Sequence, residues 1–101
     1  MVKRRFYDLI ESGIKDVELR DIKPQWKNSR VGDIAVIQCG RNLLRMRITK
    51  VHRGTLAIIF KNVNYKRIFP EASTVFEAVK STREIYPDAE EFMAFELKDI
   101  V

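Results

Sequence analysis

The chain has 101 residues, 46% of them hydrophobic, with 19 Lys and Arg against 14 Asp and Glu, a formal charge of +5 and a sequence pI near 9.6. That length fits one domain over residues 1–101, the apolar content excludes general disorder, and no apolar run approaches a membrane span. The basic balance favours a polyanionic partner through counterion release without identifying one.

In chain order, Phe6, Leu9 and Ile10 fall at helical spacing. Gly13 is placed to end a short helix over residues 3–12. Residues 15–20 read as extended, because Val17 and Leu19 alternate with Asp16, Glu18 and Arg20. Residues 22–30, with Pro24, Trp26, Asn28 and Ser29, read as loop. Val31-Gly32-Asp33 then turns the chain into residues 34–39, a strand apolar on both faces. Gly40-Arg41-Asn42 suits a tight hairpin connection. On the return strand, residues 43–52, Leu44, Met46 and Ile48 oppose Arg45, Arg47 and Thr49. Val51 breaks that phase, which places a bulge or the strand end nearby.

Residues 55–60 fit strand by β-branching and helix by the spacing of Leu56, Ile59 and Phe60. Thr74-Val75-Phe76-Glu77 has the form of a capping box. It opens a helix over residues 74–85, with Val75, Phe76 and Val79 expected inward. A last strand, residues 91–97, sets Met93, Phe95 and Leu97 on one face. The sum is an α+β domain of mostly antiparallel strands, of the kind that closes into a small barrel.

Cys39 is the only cysteine. It excludes an internal disulfide framework and a zinc ribbon, and a reducing, cytoplasmic setting is expected. The basic N-terminus, Met1 to Asp8, lacks the apolar run of a signal peptide. His52 is the only histidine, so a histidine-rich metal site is excluded. Neither metal nor cofactor is expected.

Gly13-Ile14-Lys15-Asp16-Val17-Glu18-Leu19-Arg20 has the form Gly-x-Lys-x-x-Glu-x-Arg. It follows an amphipathic helix and precedes the Val-Gly-Asp turn. Arg67-Ile68-Phe69-Pro70-Glu71, Ile85-Tyr86-Pro87 and Phe95-Glu96-Leu97 follow in order. This arrangement resembles the ASCH domain of the PUA-like superfamily. The resemblance implies a PUA-like small mixed or antiparallel β-barrel with two or three flanking helices, and helix for residues 55–60. It implies a cleft beside the Lys/Glu/Arg segment, and RNA or a modified nucleoside as partner.

One branch of the family, a small bacterial amidohydrolase, deacetylates N4-acetylcytidine. It resembles this chain in length and in the Ile-Tyr-Pro segment. The resemblance implies Lys15 and Glu71 at the branch's lysine and glutamate positions. Its threonine position holds Glu18 here, the residue the wider family carries. Lys15, Glu18 and Glu71 are therefore the candidate catalytic group of a hydrolase. The alternatives are a non-catalytic RNA-binding module and a ribonuclease.

Amide hydrolysis needs an activated nucleophile, an oxyanion stabiliser and a proton for the leaving amine. Lys15 suits the first role if burial lowers its pKa, or the second if it stays charged. Glu18 cannot supply a nucleophilic hydroxyl, but a carboxylate can position water. On an ideal strand Glu18 and Arg20 share one face and Lys15 the other. Lys15 therefore joins a common site only if it precedes the regular strand. Arg20 either recognises phosphate or carboxylate by its planar fork or pins Glu18. Tyr7 and Trp26 either stack on a base or belong to the core. Arg41, Arg45 and Arg47 either line a backbone-binding surface or form an ordinary wet face.

Overall fold

The computed structural model describes residues 2–100. Helix α1 (Arg4–Glu11) buries Tyr7 and Ile10 on one side. Gly13 takes φ +81°, a conformation that favours glycine, and the chain doubles back so that the Lys15 N–H donates to the Leu9 carbonyl. Strand β1 (Val17–Asp21) starts two residues after Lys15. The stretch read as loop holds a four-residue helix, α2 (Pro24–Lys27), with Pro24 in its first turn, where a missing N–H costs nothing.

Strands β2 (Ile34–Cys39) and β3 (Asn42–Gly54) form the expected hairpin. The β3–β4 register slips between Ile48 and Lys50, which is the phase break that Val51 announces. Helix α3 (Leu56–Asn62) settles the ambiguous segment. Thr55 caps it, its hydroxyl accepting from the Ile58 N–H. A 3-10 turn over Tyr65–Arg67 follows. Helix α4 (Val75–Ile85) begins at Thr74, whose side chain accepts from the Glu77 N–H at 3.2 Å, while Glu77 reaches back to the Ser73 N–H at 2.6 Å. Strand β4 (Phe92–Asp99) closes the fold.

The sheet order is β1-β4-β3-β2, antiparallel throughout. Among the described residues the four strands curl into a half-barrel accompanied by four α-helices, an α+β fold. Strand β4 runs through the middle and is buried on both faces. Phe92 and Ala94 join Val17, Leu19, Ile59 and Ile68 in a layer roofed by α3 and α4. Met93, Phe95 and Leu97 join Tyr7, Ile10, Met46 and Ile48 inside the curl. Each fully buried side chain of this size contributes roughly 1.5–3 kcal/mol.

Two expectations on packing are corrected. Strand β2 is not buried on both faces: Ile37 points into the curl beneath α1, but Ile34 and Val36 on the other face are exposed. On α4 the inward residues are Ala78 and Thr82, with Val79 partly buried, whereas Phe76 is 81% exposed. Small side chains let α4 lie close to the layer beneath, and the Thr82 hydroxyl is satisfied by the Ala78 carbonyl at 2.9 Å.

Candidate functional site

A cavity of about 180 Å³ opens beside the free edge of β1. Lys3, just before α1, and Phe6 within it contribute one side, β1 contributes Glu18 and Arg20, and Phe69 and Tyr86 complete the wall with Lys15. The volume equals roughly six water volumes at about 30 Å³ each. It lies below the roughly 300–1,000 Å³ of pockets for drug-sized ligands. One planar ring fits; a larger ligand must project outward.

Lys15 joins the site because it precedes β1 and is free of the strand's alternation. It is only 3% exposed. Its Nζ donates to the Val17 carbonyl at 2.6 Å and the Ile68 carbonyl at 2.8 Å, with Glu18 Oε1 at 3.6 Å. The Phe6 and Phe69 rings stand 5.8 and 5.9 Å from it. Burial pushes the Lys15 pKa below its ordinary 10.5, and the neighbouring Glu18 carboxylate works against that shift.

Glu18 spans two cations, since its other oxygen accepts from Arg20 Nη2 at 3.1 Å. The Arg20 guanidinium lies over the Trp26 ring, 4.9 Å from its centre, and Trp26 in turn packs on Phe95. Arg20 Nε is buried, yet no protein group accepts from it. Tyr86 is held in place by an edge contact with Phe92, and burial pushes its hydroxyl pKa up, keeping it a donor.

The backbone of β1 adds polar groups to the cavity. The Asp16 carbonyl binds the Leu97 N–H on the β4 side, whereas the Val17 carbonyl turns to Lys15. Residues of one parity present their N–H and C=O to the same edge. Leu19 therefore directs both backbone groups to the open edge, where it lines the cavity, while its side chain packs in the helix-covered layer.

The wall bearing Ile68 and Phe69 is fixed from outside by charge. Arg67 grips Asp16 with two bonds of 2.9 Å and also reaches Glu96 Oε1 at 3.1 Å. Glu96 Oε2 meets His52 Nε2 at 2.6 Å. His52, ahead of Arg67, holds the Glu96 carboxyl below its ordinary 4.5. In the interval between that lowered value and 4.5 the unfolded chain binds more protons than the folded one, so the stabilisation is complete above 4.5 and is lost as pH falls through the folded value. Urea unfolding between pH 3 and 6 is expected to show a steeper acid loss for the native chain than for Glu96→Gln.

The candidate residues divide cleanly. Lys15, Glu18 and Arg20 converge on the cavity. Glu71 does not line it: it borders the adjacent groove behind Phe6 and Phe69 and pairs with Arg5 at 3.5 Å. Tyr7 is only 3% exposed, inside the curl with Arg4 over its ring, and offers no stacking surface. Trp26 supports Arg20. Arg45 and Arg47 stand exposed opposite Val36 and Ile34, on the sheet face away from Glu18 and Arg20. Phe6, Phe69 and Tyr86 carry the cavity wall without having been singled out. Two of them lie within the Arg-Ile-Phe-Pro and Ile-Tyr-Pro segments, which marks the segments but not the roles. Among the described residues no group of three or more His, Cys, Asp and Glu side chains is placed to hold a metal ion, and no helix is long and apolar enough to cross a membrane.

No family model and no curated protein matches the sequence at a significant level. Solved structures do match in fold. The hypothetical protein PH0355 superposes with a TM-score of 0.82 at 19% identity, over 98% of this chain and 94% of that one. ASCH from Zymomonas mobilis gives 0.70 at 20% identity, over 97% of this chain and 64% of that one, so the chain spans just under two thirds of its length. Protein PF0455 from Pyrococcus furiosus gives 0.72 at 16% identity, over 96% and 91%. The fold is thus the one seen in the Zymomonas ASCH structure, as the motif resemblance implies.

Proposed function

We propose that the chain is an ASCH-type domain that binds RNA or a modified nucleoside, taking one base into the cavity beside β1. The observation that carries this reading is the buried Arg20 N–H group with no protein acceptor, set in a ring-sized cavity walled by Phe6, Phe69 and Tyr86. Aromatic walls suit the faces of a base. The Leu19 backbone pair and the Arg20 fork suit its edge or an adjoining phosphate. The net charge of +5 supports an anionic polymer or nucleotide as the source of that base.

A hydrolytic version is favoured by one observation, the lowered pKa of Lys15 beside a carboxylate. Against it, two of the three Lys15 N–H groups are held by backbone carbonyls with Glu18 Oε1 at 3.6 Å, and Glu71 stands outside the cavity. Binding is therefore the reading the geometry supports best. Incubation with N4-acetylcytidine, read by chromatography, is expected to release no cytidine, and labelled RNA is expected to stay intact while a gel-shift or anisotropy signal reports binding. Release of cytidine that disappears in Glu18→Gln would instead establish the amidohydrolase, and cleaved RNA the ribonuclease.

A further inference from the structure

A second concavity, an open groove of about 630 Å³, is lined by Lys27, Arg30, Lys50 and Arg53 with Asn28 and Ser29 between them. All four cations are exposed, and among the described residues none has a carboxylate within ion-pair distance. Lys15 and Arg20 at the cavity differ, since both face the Glu18 carboxylate. Uncompensated charge of one sign gathered in a concavity focuses its field and draws a polyanion.

The groove is joined to the cavity by the sheet and by α2. Arg20 on β1 and Arg53 on β3 both pair with Met93 of β4, so two strand spacings, about 10 Å, separate their backbones. Neighbouring residues of α2 engage both side chains. Trp26 lies under the Arg20 guanidinium, and the Lys27 carbonyl accepts from Arg53. Trp26 and Lys27 thus bridge Arg20 at the cavity and Arg53 at the groove.

Building on the base-binding reading of the cavity, we infer that the ligand is a single RNA strand and not a free nucleoside. One base enters the cavity and the adjoining phosphates run along Lys27, Arg30, Lys50 and Arg53. The cavity, at about 180 Å³, matches a single ring, and the groove is open and cationic, which is the division of labour that a splayed-out base and its backbone require. A duplex is disfavoured because its bases are stacked and paired.

The test is fluorescence anisotropy with a labelled single-stranded RNA of about ten nucleotides on the native chain, Lys27→Glu/Lys50→Glu and Arg20→Ala, with unlabelled adenosine and cytidine as competitors. Both groove positions are exposed, and circular dichroism checks the fold. The double variant is expected to lose at least about tenfold in affinity, and its log–log salt slope to become shallower by about 1.4 or more, two contacts at roughly 0.7 each. Equal affinity and slope in the double variant, with loss in Arg20→Ala, overturns the groove and leaves the cavity reading intact. Loss in the double variant with full binding by Arg20→Ala supports the groove and removes the cavity reading. Nucleosides that bind as tightly as the RNA overturn the inference, and absence of any RNA binding by the native chain overturns both.

Discussion

Lys15→Met is expected to destabilise the chain by about 3 kcal/mol, the range for removing one partner from a buried charged group. Methionine keeps most of the volume, so the loss reports polar chemistry. The Val17 and Ile68 carbonyls lose their donor, and Glu18 loses one of two cations. For a domain of this size the melting temperature falls by roughly 12 °C or more. Urea unfolding followed by circular dichroism measures it. Adding Glu18→Gln is expected to recover roughly 1 kcal/mol, because the two side chains share one interaction. The pH dependence supplies a second signature. A lysine whose folded pKa lies below 10.5 binds fewer protons in the folded than in the unfolded chain over that interval. Stability from this group therefore rises with pH as 10.5 is approached, and Lys15→Met is expected to remove that rise. An unchanged alkaline slope in the variant would show that Lys15 is not the group responsible.

The largest expected effect on binding belongs to Arg20. Arg20→Ala removes the fork that faces the cavity, and charged hydrogen bonds of this kind are worth about 2–3 kcal/mol. At about 1.4 kcal/mol per tenfold the affinity for RNA falls roughly 30- to 150-fold. Arg20→Lys keeps the charge but not the planar geometry and is expected to recover only part of the loss. Stability should change little by comparison, since Glu18 keeps Lys15 and Trp26 keeps Phe95. Trp26 fluorescence, free of the overlying guanidinium, provides an internal check that the side chain has been removed from the stack. Undiminished RNA binding by Arg20→Ala would exclude the cavity as the recognition site.

Much of this architecture is legible in the residues themselves. The alternation of Val17 and Leu19 with Glu18 and Arg20 survives as burial on one side and a charged pair on the other. The β3 bulge follows from the misplaced Val51, and the Thr74 cap from its spacing to Glu77. What failed has physical causes. Four residues of α2 are too few to show a helical period. The apolar run of β2 does not reveal that α1 packs on its Ile37 face alone, which leaves Ile34 and Val36 exposed. Helix α4 docks through Ala78 and Thr82, residues that a search for large apolar side chains passes over. Glu71 could be placed along the chain but not in space, and the two phenylalanine rings that part it from the cavity come from segments more than sixty residues apart. The exclusion of Lys15 from the strand's alternation was the one geometric condition on its joining Glu18 and Arg20, and β1 starts late enough to meet it.

Leu19 presents its side chain to the core and its amide and carbonyl to the cavity. Packing and recognition thus act on different atoms of one residue. Any side chain that fills the space beneath β1 leaves the same donor and acceptor at the same place. That part of the binding surface is indifferent to residue identity, and it can persist between chains that share the strand and little else.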